Sequence, residues 1–96
     1  MPIKHSTYFE DRVQSLASSR LGASFSVGVL LKGPYSFSTD SAERMTVTSG
    51  EIILRVGEAS EATWRHYPRG TSFEIPAKSS FDIIIHGSTS YLCEYL

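Results

Sequence analysis

The stretch YSFSTDSAERMTVTSG, residues 35–50, carries two serines, a glutamate and a glycine at fixed intervals, Ser36-x-Ser38-x4-Glu43-x6-Gly50. Apolar and polar residues alternate through it in short runs, the period of a half-buried strand. Gly50 divides RMTVTS (44–49) from EIILRV (51–56). It reads as a hairpin corner, because glycine enters left-handed backbone angles without a steric penalty. The stretch is therefore read as strand, turn, strand, bearing one carboxylate and two hydroxyls.

Strand signals continue on both sides. ASFSVGVLL (23–31) sets Phe25, Val27, Val29 and Leu31 on one face, with Ser24, Ser26 and Gly28 on the other. KGPY (32–35) reads as a turn and GEASEA (57–62) as a polar loop. TWRHYP (63–68), TSFEIP (71–76) and FDIIIHG (81–87) are short strands punctuated by Pro68, Gly70 and Pro76. TSYLCEYL (89–96) is a last strand with Tyr91, Cys93 and Tyr95 on one face. SLASSRLGAS (15–24) reads as loop, following a strand near Val13–Ala17, and residues 1–7 read as a flexible N-terminus. No segment has a helical period. About eight strands with regular turn signals predict an all-β chain, one domain over residues 1–96.

A chain of 96 residues supports one core. Its net charge of −1 leaves no basic excess for nucleic acid. No apolar window approaches a membrane span, and the N-terminus lacks the apolar run of a secretion signal, so the cytoplasm is the expected location. Cys93 is the single cysteine, which excludes an intrachain disulfide; it reads as a small buried hydrophobe.

Two spacings then become informative. Cupin barrels, two-sheet jelly rolls, carry the signatures G-x5-H-x-H-x3–4-E-x6-G and G-x5-P-x-G-x2-H-x3-N. The quoted stretch is similar to the first, except for its leading glycine, and Gly70-x5-Pro76 to the start of the second. Extending the second places Lys78, Phe81 and Ile85 at its later glycine, histidine and asparagine. The expected fold is a single-domain cupin-type jelly-roll barrel. Two hydroxyls and a phenyl ring stand where imidazoles would bind a divalent metal. His5, His66 and His86 share no i,i+2 or i,i+4 spacing. No metal is expected.

The runs Y-x-F-S-T and E-x-M-T-V-x-S-G, the pattern from Trp64 to Pro76, and the ending TSYLCEYL resemble the broad-specificity pyrimidine/purine nucleoside phosphorylases. These are small bacterial cupin proteins, and the resemblance runs from about Tyr8 to Leu96. It implies phosphorolysis of pyrimidine and purine nucleosides to a free base and α-D-ribose 1-phosphate. It also implies no cofactor, with inorganic phosphate as co-substrate. Glu94 departs from the family pattern, on the face opposite Tyr91, Cys93 and Tyr95.

Barrel position alone supplies the candidate residues. Ser36 and Ser38 are expected to point inward and donate to phosphate or ribose. Glu43 is expected to accept ribose hydroxyls, and Phe81 and Tyr91 to meet the base. Stacking on an aromatic face tolerates every base. Among the cations Arg44, Arg55, Arg65, Arg69 and Lys78, the last lies nearest the Phe81 position and is the first candidate for phosphate. Tyr35 and Phe37 alternate with the serines, so an outward apolar face and a homodimer are expected. The alternative function is a non-catalytic cupin that binds a sugar or nucleoside.

Overall fold

A computed structural model describes residues 2–57 and 63–96; most of the loop expected at 57–62 lies outside them. The described residues form ten strands: β1 (Lys4–Tyr8), β2 (Val13–Arg20), β3 (Ala23–Leu30), β4 (Gly33–Ser38), β5 (Glu43–Ser49), β6 (Glu51–Val56), β7 (Arg65–Pro68), β8 (Ser72–Ile75), β9 (Ser80–Ile85) and β10 (Thr89–Tyr95). No helix occurs among the described residues. The strands make a six-stranded sheet, β1-β2-β3-β10-β5-β8, and a four-stranded sheet, β4-β9-β6-β7. All ladders are antiparallel. The chain changes sheet after β3, β4, β5, β7, β8 and β9. The all-β, single-domain expectation holds, but the two sheets are not closed into a barrel by edge pairing.

The core lies between the sheets. Leu30, Met45, Val47, Phe73, Ile75 and Cys93 come from the larger sheet, and Tyr35, Ile52, Leu54, Phe81, Ile83 and Ile85 from the smaller. Each large aliphatic buried there stabilises the fold by about 1.5–3 kcal/mol relative to exposure.

Four local expectations are corrected. Residues 15–24 are not loop: β2 and β3 pair along their whole length around Leu21 and Gly22, both left-handed with φ of 52° and 80°. A leucine at the first turn position hides the hairpin, since that geometry favours Asn, Asp or Gly. Lys4–Tyr8 is not loose but ladders onto β2. KGPY is a turn only at its start, for Pro34 lies within β4, an edge strand, where a missing N–H is tolerated. Gly50 does not close a hairpin. Its flanking strands belong to different sheets, and its φ of +82° turns the chain from one layer to the other.

Alternation has the right period in β3 and β4, but the phase expected in β4 is reversed. In β3, Ser26 and Leu30 are buried, and Val27 and Val29 face out. In β4, Tyr35 is buried in the core and Phe37 packs against it, whereas Ser36 and Ser38 are exposed. A shift of one residue exchanges every side chain between faces.

Candidate active site

Between the sheets, at the end where β4 hands over to β5, lies a cavity of about 440 Å³. Its size suits a small organic ligand. Tyr8, Phe37, Phe81, Tyr91 and Tyr95 give it aromatic walls, and Ser26, Ser38, Asp40, Ser41 and Glu43 supply its polar groups. Phe37 and Phe81 are direct partners on β4 and β9, and their rings stack at 5.5 Å. Tyr8 and Phe9 meet the Phe37 ring edge-on at 6.1 and 5.4 Å, an arrangement that aromatic quadrupoles favour. Phe9, Glu10 and Asp11 are all left-handed, with φ between 52° and 67°. This turn swings Phe9 back onto Tyr35 and Phe37.

The polar floor centres on Glu43 and Cys93. The Cys93 thiol donates to Glu43 Oε1 at 3.4 Å. The Ser26 and Tyr95 hydroxyls lie 3.2 Å apart beside it. Burial pushes the Glu43 carboxyl above its usual range, partly offset by the thiol hydrogen bond. Burial, with the nearby Glu43 charge, also pushes Cys93 up to about 12, so the thiol stays protonated. Tyr91 and Tyr95 are shifted upward too, chiefly by desolvation. A carboxyl that resists ionisation among neutral hydroxyls can donate as well as accept a proton.

The structure brings Glu43, Ser38, Phe81 and Tyr91 to this cavity. Ser36 is corrected: it points to the outer face of the smaller sheet and donates to Asp82 Oδ1 at 2.6 Å. Arg55 holds the other Asp82 oxygen at 2.8 Å and stacks on Trp64 at 4.6 Å. Lys78 is exposed in the β8–β9 turn, left-handed at φ 53°, and does not line the cavity. Of the other cations, Arg44 pairs with Glu74 at 3.5 Å on the larger sheet's outer face. The described lining contains no Lys, Arg or His.

The histidines are apart, His5 against Gln14 and His66 against Glu51, with His86 exposed. No group of three or more His, Cys, Asp or Glu is placed to hold a metal among the described residues. Sequence reasoning missed Tyr8, Asp40, Ser41 and Ser26 as lining. Asp40 and Ser41 lie inside the quoted stretch, between the matched positions, where spacing alone does not mark them.

The whole chain matches known sequences. Residues 3–95 fit the pyrimidine/purine nucleoside phosphorylase family. A protein of that name from Sorangium cellulosum is 48% identical over 94 residues, covering 98% of this chain and 99% of the relative. The chain belongs to the pyrimidine/purine nucleoside phosphorylase family. Another relative of that name, from Vibrio parahaemolyticus, is 45% identical over the full length of both chains.

The phosphorylase-family fold is also found in a crystal structure of a Vibrio parahaemolyticus protein of unknown function, with a TM-score of 0.90, 44% identity and full coverage of both chains. Hydroxypropylphosphonic acid epoxidase from S. wedmorenis superimposes with a TM-score of 0.81 at 15% identity, over 98% of this chain and 55% of the epoxidase. That likeness is one of fold alone.

Proposed function

We propose that this chain catalyses phosphorolysis of pyrimidine and purine nucleosides, releasing the base and forming α-D-ribose 1-phosphate without a metal. One observation carries it: in a chain of this family, aromatic walls and a half-buried carboxyl share one cavity with a hydroxyl-bearing rim. The stacked Phe37–Phe81 pair and Tyr91 offer faces for any base, which suits broad specificity. Ser38 and Ser41, at the rim, donate hydroxyls to phosphate, and Asp40 accepts from ribose. The transition state resembles an oxocarbenium ion, with phosphate as the nucleophile, so the protein supplies position and electrostatics. Among the described residues no three His, Cys, Asp or Glu side chains are placed to hold a metal, which favours a metal-free reaction.

The protein also acts as a homodimer in this proposal, on a surface different from the one expected. Tyr35 and Phe37 are turned inward. Instead Leu16, Val27, Val29 and Leu31, each 43–49% exposed, line a groove on the outer face of the six-stranded sheet. Asp11 and Arg12 at its rim give opposite charges on one patch, which a two-fold axis can set against their copies.

Purified protein incubated with uridine or adenosine, with and without phosphate and chelator, tests the reaction. Phosphate-dependent, chelator-resistant base release is expected. Release without phosphate would indicate hydrolysis, and stabilisation by nucleoside with no release would leave the non-catalytic binding module.

A further inference from the structure

We infer that Glu43 is the group that protonates the departing base, and that Cys93 is its positioning residue, occupying Oε1 so that Oε2 faces the nucleoside. The inference rests on the phosphorolysis reading and assigns one step within it.

Three strands converge on this pair. Glu43 begins β5, Cys93 and Tyr95 come from β10, and Ser26 comes from β3. Their register is direct: Tyr95 pairs with Glu43, and Cys93 with both Met45 and Ser26. Cys93 is only 3% exposed, yet its sulfur contacts Glu43 Oε1 and also hydrogen-bonds with Ser26 and Tyr95. The thiol is thus held from both sides and aimed at one carboxyl oxygen. Its proton is not lost at any working pH, because burial keeps it a thiol. An oxygen already accepting from S–H is the poorer place for the carboxyl's own proton. In the protonated carboxyl, Oε2 is therefore the oxygen that carries the proton, and Glu43 lines the cavity where it is used.

The other titratable groups lining the cavity are Tyr91 and Tyr95 of β10, Tyr8 of β1 and Asp40 ahead of β5. The tyrosines Tyr91 and Tyr95 are held neutral by burial. Asp40 is exposed to water, and Glu43 is the carboxyl partly withdrawn from it. The surroundings of Glu43 favour its protonated form.

The step balances. A hydrogen phosphate oxygen forms the bond to C1′ as the C1′–N bond breaks, and that electron pair leaves with the base. Glu43 gives its Oε2 proton to the base. The phosphate hydroxyl proton, which the ribose 1-phosphate dianion no longer carries, returns to Glu43. General acid assistance of this kind is worth roughly 10²–10⁴-fold in rate.

Leaving groups separate this role from a structural one. Glu43→Gln is expected to lose at least about a hundredfold on uridine. It should remain within a few-fold of wild type on 4-nitrophenyl β-D-riboside, whose phenolate departs without a proton. Cys93→Ala is expected to lower kcat on uridine with KM nearly unchanged, and Cys93→Ser to restore most of it. Because the thiol hydrogen bond favours the carboxylate, its removal moves the alkaline limb of the pH profile upward. In a Glu43→Gln background Cys93→Ala should add nothing.

Equal losses on both leaving groups, or a full Cys93→Ala effect in the Glu43→Gln background, would overturn the assignment. A carbon-13 titration of the Glu43 carboxyl decides the pairing without turnover. Its midpoint should rise in Cys93→Ala, and an unmoved midpoint refutes the positioning role. If wild type cleaves neither substrate, phosphorolysis fails and takes the proton step with it, and the titration still judges Cys93.

Discussion

Tyr91 and Gly28 are direct partners on β10 and β3, and the tyrosine ring lies across the bare glycine backbone. A Cβ on Gly28 would sit 2.5 Å from the Tyr91 hydroxyl, 2.6 Å from its ring and 2.7 Å from the Gln14 carbonyl. Moving the ring relieves only part of this, because the third contact is backbone. Gly28→Ala is expected to cost about 1–3 kcal/mol, the range for an overpacked interior. Nucleoside stabilisation should fall with it, since Tyr91 lines the cavity. Urea unfolding and ligand thermal shifts measure both. A loss under about 0.5 kcal/mol, typical of an unremarkable surface change, would show that the strand pair simply yields.

Glu43 predicts a stability that depends on pH in an unusual direction. Its folded pKa is raised above the ordinary 4.5. The native state therefore favours the protonated carboxyl, and stability is lost as pH rises from 4.5 through the folded value. Glu43→Gln should be more stable than wild type at pH 8, with the difference vanishing by pH 4. Thermal unfolding at the two pH values checks this, and equal shifts at both would refute it.

The two serines of the quoted stretch should behave differently. Ser38→Ala is expected to lower kcat/KM for phosphate by about tenfold or more, the loss of a hydrogen bond to a charged group. Ser36→Ala should leave turnover within about twofold, a change under about 0.5 kcal/mol as for other surface sites away from the chemistry. Its signature is acid stability. The Ser36 hydroxyl, then Arg55, holds Asp82 below 3.8, which contributes stability above that pH. The gap between wild type and Ser36→Ala should be present at neutral pH and close as pH falls through Asp82's lower folded value. Parallel kinetics and urea unfolding at pH 7 and pH 3 separate the two serines, and reversed behaviour would return Ser36 to the active site.

Why one serine was misplaced is instructive about what this sequence encodes. Strand periods are legible in β9 and β10, where the face away from the core carries a single large apolar residue, Ile84 and Leu92 respectively, and there Phe81, Tyr91 and Cys93 fall on the core face. In β4 the spacing of a histidine motif suggests inward serines. Burying the rings of Tyr35 and Phe37 is the stronger driving force, and it sets the phase. In β3 both faces carry apolar groups, so alternation fixes the period and leaves the phase open. Tyr8 reaches the site only because β1 pairs with β2, of which the sequence shows only the Val13–Ala17 part, the hairpin beyond it being hidden by a leucine in its turn. Local pattern does not report such long-range pairing.

The outer groove gives a test of assembly. Val27 and Val29 sit centrally in it, each with its side chain toward solvent in the single chain. Wild type is expected at twice the 10.6 kDa chain mass by light scattering at micromolar concentration. Val29→Asp is expected at one chain mass, because an unpaired charge in an apolar contact is costly. A wild-type mass of one chain would sink the homodimer.

β10 lies in the middle of the six-stranded sheet, paired on one edge with β3 and on the other with β5. It is also the last of the ten described strands in chain order, and so is made after the other nine. Until it inserts, β3 and β5 each present an open edge, and the larger sheet exists as two separate pieces. Such edges invite pairing with other chains. A nascent chain is therefore most prone to aggregate just before the seven residues of β10 arrive, and those residues include Tyr91, Cys93 and Tyr95. Sheet closure and completion of the cavity are thus a single late event in folding, so a chain stalled or cut ahead of Thr89 forfeits both at once.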